Sequence, residues 1–137
     1  MSKENRYWSG AHTKHRMLYH IVWIPKYRKR CLEGNIAKRI EELIVQCAEI
    51  YRWEIDELNI QKDHVHMLIQ LRPDRSVSEV MQLIKGRSSF FIRKEFPKLE
   101  EFAWKSGRTE SFWADGYFVE TVGQVNEEKI KEYIRNQ

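Results

Sequence analysis

The sequence predicts an α+β domain built on one four-stranded antiparallel sheet. Three observations carry that prediction. Segments of period-two and period-3.6 hydrophobicity follow the order strand, helix, strand, strand, helix, strand, helix. Pro, Gly, Asn or Asp mark most of the breaks between them. The chain has 137 residues, 42% of them hydrophobic, enough for one domain with a real core.

The elements follow in order. Residues 1–15 are polar, with His12 and His15 among Gly, Ser, Thr and Lys, and read as a loose N-terminal arm. Arg16 to Pro25 reads as a strand. Its two faces, Leu18, His20, Val22, Ile24 and Met17, Tyr19, Ile21, Trp23, are both rich in apolar side chains, so it is expected at the centre of the sheet. Pro25 ends it. Glu33 to Arg52 is the clearest helix. Ile36, Ile40, Leu43, Ile44, Cys47, Ala48 and Tyr51 form its stripe, with Gly34-Asn35 as the cap region. Trp53 to Gln61 is a weakly patterned strand. The next strand starts at His64, so the two are expected to pair as a hairpin around Lys62-Asp63. Ser76 opens a second helix, with Glu79 completing a capping box. Val77, Val80, Met81, Ile84 and Phe91 are its expected buried stripe, and Pro97 stops it. Leu99 to Ser111 is irregular, with Trp104, Gly107 and Arg108. Phe112 to Gly123 reads as the last strand, broken near Asp115-Gly116, and Asn126 as the cap of a final helix. The first six elements have the order of the ferredoxin-like split βαβ, with both helices on one face of the sheet. The final helix has no place in that core and is free to reach the other face.

Composition limits the function classes. There is no apolar run long enough to cross a membrane, and the N-terminus lacks the apolar centre of a signal peptide. Cys31 and Cys47 form neither a disulfide framework nor a zinc pattern, so the cytoplasm is the expected compartment. The net charge of +4 is unevenly placed. Residues 1–31 hold eight Lys and Arg against Glu4, an excess of seven, and the remaining 106 residues sum to −3. Lys26, Tyr27, Arg28, Lys29 and Arg30 mix cations with an aromatic, a pattern suited to a phosphate backbone with a base to stack on. Lys85 and Arg87 flank Gly86 on the second helix, where small residues let a phosphate come close.

The stretch His64-Val65-His66 carries the chemistry. On a strand, residues i and i+2 share a face, so the imidazoles project together while Val65 points into the core. Such a pair suits a metal, or is simply two surface histidines. The final helix carries Tyr133 and Gln137, neighbours one turn apart. A tyrosine phenol is mostly protonated at neutral pH and is a weak nucleophile unaided. If it attacks a phosphodiester, the phosphate needs charge stabilisation, which a divalent cation supplies as a Lewis acid. Two imidazoles and an amide oxygen are neutral ligands that leave the cation its full charge. Such mixed donors suit Mg²⁺ or Mn²⁺.

His64-Val65-His66 resembles the HUH motif, in which U is a hydrophobic residue. Lys131-Glu132-Tyr133-Ile134-Arg135-Asn136-Gln137 is similar to the tyrosine helix of the TnpA-type single-tyrosine HUH transposases of bacterial and archaeal insertion sequences. Patterns resembling that family also occur at Tyr19 to Arg28, Leu83 to Ser89 and Phe112 to Val119, in the family's order and spacing. The resemblance implies that Tyr133 attacks single-stranded DNA to form a 5′-phosphotyrosine and release a 3′-OH. It implies that His64, His66 and Gln137 hold the metal. No tyrosine lies four residues either side of Tyr133, so the single-tyrosine branch is implied. So are a homodimer, an active site that can be shared between subunits, and substrates with hairpin-marked ends. Lys26 to Arg30 and Lys85 to Lys94 are the candidates for holding that DNA.

Other readings compete. A ferredoxin-like sheet can bind single strands by stacking, as RRM domains do, but the histidine strand shows no such aromatic pattern. A metal-dependent hydrolase using water needs a general base. Asp63 is the nearest acid, but on a regular strand it faces away from His64. A domesticated relative that cuts genomic repeats has the same residues as a transposase.

Overall fold

The computed structural model describes residues 16–99 and 111–137. The N-terminal arm with His12 and His15, and Trp104, Gly107 and Arg108 of the irregular stretch, lie outside the described residues. Strands β1 (Met17–Trp23), β2 (Glu54–Gln61), β3 (His64–Leu71) and β4 (Phe118–Val122) form one antiparallel sheet in the order β2-β3-β1-β4. Helices α1 (Gly34–Tyr51), α2 (Val77–Glu95) and α3 (Gln124–Arg135) complete the fold. The expected order and the central position of β1 both hold.

Alternation decides which core each strand residue joins. Ile21 and Trp23 of β1 and Val65, Met67, Ile69 and Leu71 of β3 bury into one face. Ile40, Leu43, Ile44 and Cys47 of α1 and Val80, Met81, Ile84 and Ile92 of α2 cover that face. Leu18 and Leu68 point the other way and pack with Val122, Ile130 and Ile134, so α3 covers the opposite face. This is why β3 is buried continuously from Val65 to Leu71. A strand sandwiched on both sides loses its solvent face. β2 is an edge strand, half-buried throughout, with a bulge between Ile55 and Glu57.

Several boundaries differ from expectation for local reasons. Ser76 does cap α2, its Oγ accepting from the Glu79 N–H at 3.1 Å. Along α2 the buried positions include Ser88 and Ile92, while Phe91 is only partly buried. Gly34 and Asn35 do not cap α1. Glu33 holds that position without a side-chain bond, and Gly34 turns the chain with φ of +59°. The last strand is five residues long and not the full stretch from Phe112. Phe112 and Trp113 are consecutive and both sit in the helix-side core, which a regular strand forbids. Trp113 makes only an isolated bridge with Pro25, and Gly116, at φ of +79°, breaks the lead-in. Asn126 lies inside the first turn of α3, which Gly123 caps.

Candidate active site

Four elements build the site on the sheet face under α3. The registers Val22↔His66, Asn59↔His66 and Gln61↔His64 place those side chains on that face beside His20, Glu57, Phe118 and Glu120. Helix α3 is seated by an apolar patch and by polar anchors. Asn59 Nδ2 donates to the Ile134 carbonyl at 2.9 Å, and Arg135 pairs with Glu57 at 2.6 Å. Glu127 bridges Arg16 and Lys131, each at 2.9 Å.

That seat brings the expected residues together. The Tyr133 ring lies edge-on to His66, with centroids 5.5 Å apart, and to His20 at 6.3 Å. Its side of the helix stays half open, at 51% exposure, so the phenol is reachable. Gln137 does not lie on the helix as expected, because α3 ends at Arg135; two residues beyond that end, its Oε1 is 3.4 Å from His64 Nε2. His64 and His66 sit with ring centroids 4.7 Å apart. Two donors sharing one small divalent ion at about 2.1 Å lie roughly 3 Å apart, so the spacing of His64 and Gln137 fits.

The far nitrogens are engaged. His64 Nδ1 bonds Asp63 Oδ1 at 2.7 Å, and His66 Nδ1 bonds His20 Nε2 at 3.1 Å. The Asp63 carboxylate only accepts, so His64 donates from Nδ1. In the tautomer in which His66 likewise donates to His20, each Nε2 lone pair is left for a cation, the arrangement in which outer partners orient metal-binding imidazoles. Burial first, then the neighbouring His64 and His20, pushes His66 down to about 4, against a smaller opposing effect of Gln137. His66 is therefore neutral at pH 7, the form that binds metal. Burial also lowers His20, with Glu120 opposing. The hydrogen bond to His64, helped by Arg28, holds Asp63 below its usual range. Among the described residues no three His, Cys, Asp or Glu side chains are grouped to hold a metal, so a third donor beside the two imidazoles would have to come from a group such as the Gln137 amide.

Two features escaped the sequence. Asp63 faces His64 because the strand begins at His64 and Asp63 lies in the turn before it, where alternation does not apply. His20 stacks on His66 at 5.4 Å with ring planes 6° apart. Its signal was a polar residue on an otherwise apolar central strand, but only the β1–β3 register puts it at the site.

The cationic candidates divide. Lys26–Arg28 form a short 3-10 turn after β1, with Tyr27 63% exposed and Arg28 bonded to Asp63 at 3.0 Å, so this loop borders the histidines. Lys29 and Arg30 are exposed. Lys85 and Arg87 belong to α2, on the far side of the sheet. Lys85 Nζ donates to the carbonyls of Ala114 and Gly116, and Arg87 bonds Gln46 at 2.7 Å and lies over the Phe91 ring.

Comparison with known proteins places this geometry. A family model described as "Transposase IS200 like" matches residues 13–137. The transposase for insertion sequence element IS200 of Salmonella typhimurium is 37% identical over 129 residues, covering 94% of this chain and 82% of that protein. The ISDra2 transposase TnpA of Deinococcus radiodurans is 27% identical over 119 residues, covering 87% and 82%. A crystal structure described as a transposase of Deinococcus radiodurans superposes with a TM-score of 0.75 at 26% identity, covering 95% of this chain and 97% of that one. The structure of a REP-associated tyrosine transposase bound to a REP hairpin shares the fold, with a TM-score of 0.65 at 14% identity over 98% and 70%. Fold and sequence together define a single-tyrosine transposase of the TnpA type. The chain belongs to the IS200-like transposase family, and its activity is DNA transposition. Among the described residues no helix is long and apolar enough to cross a membrane.

Proposed function

We propose that this transposase cuts and rejoins single-stranded DNA through a covalent bond to Tyr133. The observation that carries the reading is the seat of α3, which delivers Tyr133 beside His66 and Gln137 beside His64 in one chain. The Tyr133 oxygen attacks a phosphodiester phosphorus and the bond to the 3′ oxygen breaks. The phenol proton passes to solvent and the 3′ oxygen takes one up, leaving a 5′-phosphotyrosine and a free 3′-OH. Rejoining is the reverse, with a 3′-OH as the attacker.

His64, His66 and Gln137 would hold a divalent cation, Mg²⁺ or Mn²⁺. Bound there, it supplies Lewis-acid stabilisation of the charge that builds on the phosphate oxygens. His20 and Asp63 hold the two imidazoles in orientation. Lys26, Arg28, Lys29 and Arg30, with the exposed Tyr27 ring, are suited to hold the strand at the rim of the site. Lys85 and Arg87 are weaker candidates, since their cationic heads are engaged within the chain. A hairpin beside the cleaved strand is part of the proposal, supported by the hairpin bound to the REP-associated relative. So is a homodimer in which each subunit can complete its own site.

The test is a labelled single-stranded hairpin oligonucleotide incubated with protein and Mn²⁺, then resolved on a denaturing gel. A covalent protein–DNA band is expected, and Tyr133→Phe removes it. A band that survives Tyr133→Phe overturns the nucleophile assignment. Cleavage without any adduct points instead to hydrolysis by water.

A further inference from the structure

We propose that Asp63 is the positioning residue of His64, clamped in turn by Arg28 of the basic loop. The inference rests on the reading of His64 as a metal ligand and extends it to residues outside the ligand set.

Asp63 spends its two oxygens on two different partners. Oδ1 meets His64 Nδ1 at 2.7 Å, and Oδ2 meets Arg28 Nε at 3.0 Å. The carboxylate is held from both sides, with its side chain 19% exposed, as the His64 ring is at 20%. An imidazole that ligates through Nε2 must keep its proton on Nδ1 and its ring plane fixed, and an acceptor behind Nδ1 does both. The hairpin turn makes this possible, because it frees Asp63 from strand alternation.

Arg28 comes from a segment with an unusual backbone. Tyr27 and Arg28 have φ of 61° and 51°, in the left-handed region that non-glycine residues seldom enter. Backbone of that kind persists where surrounding contacts over-determine it. The bond of Arg28 to Asp63 is one such contact, and the Arg28 N–H to the Pro25 carbonyl at 2.8 Å is another. The loop proposed to hold DNA and the histidine proposed to hold metal therefore share one carboxylate.

The experiment reads the imidazole directly. Long-range ¹H–¹⁵N spectra of metal-free protein at pH 8 report which nitrogen of each histidine carries the proton. Free-Mn²⁺ EPR reports metal affinity without DNA or turnover. Wild type should show His64 as the Nδ1–H tautomer. Asp63→Ala should mix its tautomers and weaken Mn²⁺ binding about 10–100-fold, the usual cost of losing such a partner. Asp63→Asn keeps an acceptor oxygen and should retain the tautomer. Arg28→Gln should weaken Mn²⁺ binding by a smaller factor. Melting curves of all three should match wild type, because the turn lies outside both apolar clusters. An unchanged His64 tautomer in Asp63→Ala, or Mn²⁺ affinity within twofold of wild type, overturns the inference. His64→Ala is the separate control: if it binds Mn²⁺ like wild type, the metal assignment is what fails.

Discussion

Replacing Glu127 by glutamine should loosen α3 from the sheet without unfolding the domain. Glu127 places one oxygen on Arg16 Nη2 and the other on Lys131 Nζ, both at 2.9 Å. The three side chains are only 6–11% exposed. Glutamine keeps the shape and one acceptor but removes the charge that both buried cations share, while Lys131 keeps a longer contact with Glu128 at 3.9 Å. Removing one partner from a buried pair costs about 3–5 kcal/mol. The lower end, about 3 kcal/mol, applies here because the amide carbonyl still accepts one bond. At about 1.4 kcal/mol per decade, the opening equilibrium of α3 rises roughly 100-fold. Native-state hydrogen exchange measures this: amides of residues 128–135 should lose about two decades of protection, while β1 and β3 amides keep theirs. Adduct formation should fall in parallel, since Tyr133 rides on α3 and Gln137 follows two residues beyond its last residue. Protection of α3 within threefold of wild type would refute the reasoning and assign its docking to the apolar patch alone.

Three further outcomes follow from the same geometry. Ser88→Ala leaves the buried Trp113 indole N–H without the acceptor it has at 2.8 Å, and should cost about 1–3 kcal/mol in a denaturant melt followed by tryptophan fluorescence. A chelator should abolish the adduct and lower the melting temperature only by the stabilisation that the bound cation supplied, with the domain still folded, because the proposed ligands lie outside the main core. Mixing Tyr133→Phe protein with His64→Ala protein should not restore cleavage if each chain docks its own α3; recovered activity in the mixture would show that sites are shared between subunits.

The sequence was most legible where one period dominates. Alternation in β3 placed both histidines on the face opposite the core, and Val65 is fully buried as that alternation requires. The α1 stripe was equally clear, except that Tyr51 leaves the core to stack on Trp53 at 5.2 Å. The capping box at Ser76 marked the start of α2 because its signal is local. Legibility failed where tertiary packing overrides pattern. Phe112 and Trp113 read as strand residues, yet both are drawn into the helix-side core. The place of His20 depends on strand order and register, which pair residues 46 apart. Asp63 was misread for the opposite reason: the alternation that located His64 was carried one residue too far, into a turn.

The two faces of the sheet pose different physical problems, and their solutions bear on how the site is assembled. The α1–α2 face can be covered by apolar stripes, because β1 and β3 offer it Ile21, Trp23, Met67 and Ile69. The other face offers His20, His66, Glu57, Asn59 and Glu120 among few apolar groups. A wholly apolar helix laid there would strand those polar atoms, at a cost for each that exceeds what its own burial returns. Helix α3 answers with a small apolar patch at Ile130 and Ile134, flanked by ion pairs and a side chain-to-carbonyl bond. Twelve residues form a marginal helix in isolation, so α3 owes much of its order to this seat. Tyr133 therefore reaches the histidines only when α3 is seated, with Gln137 led there from the helix end, and the polar anchors that seat the helix set how often the site is complete.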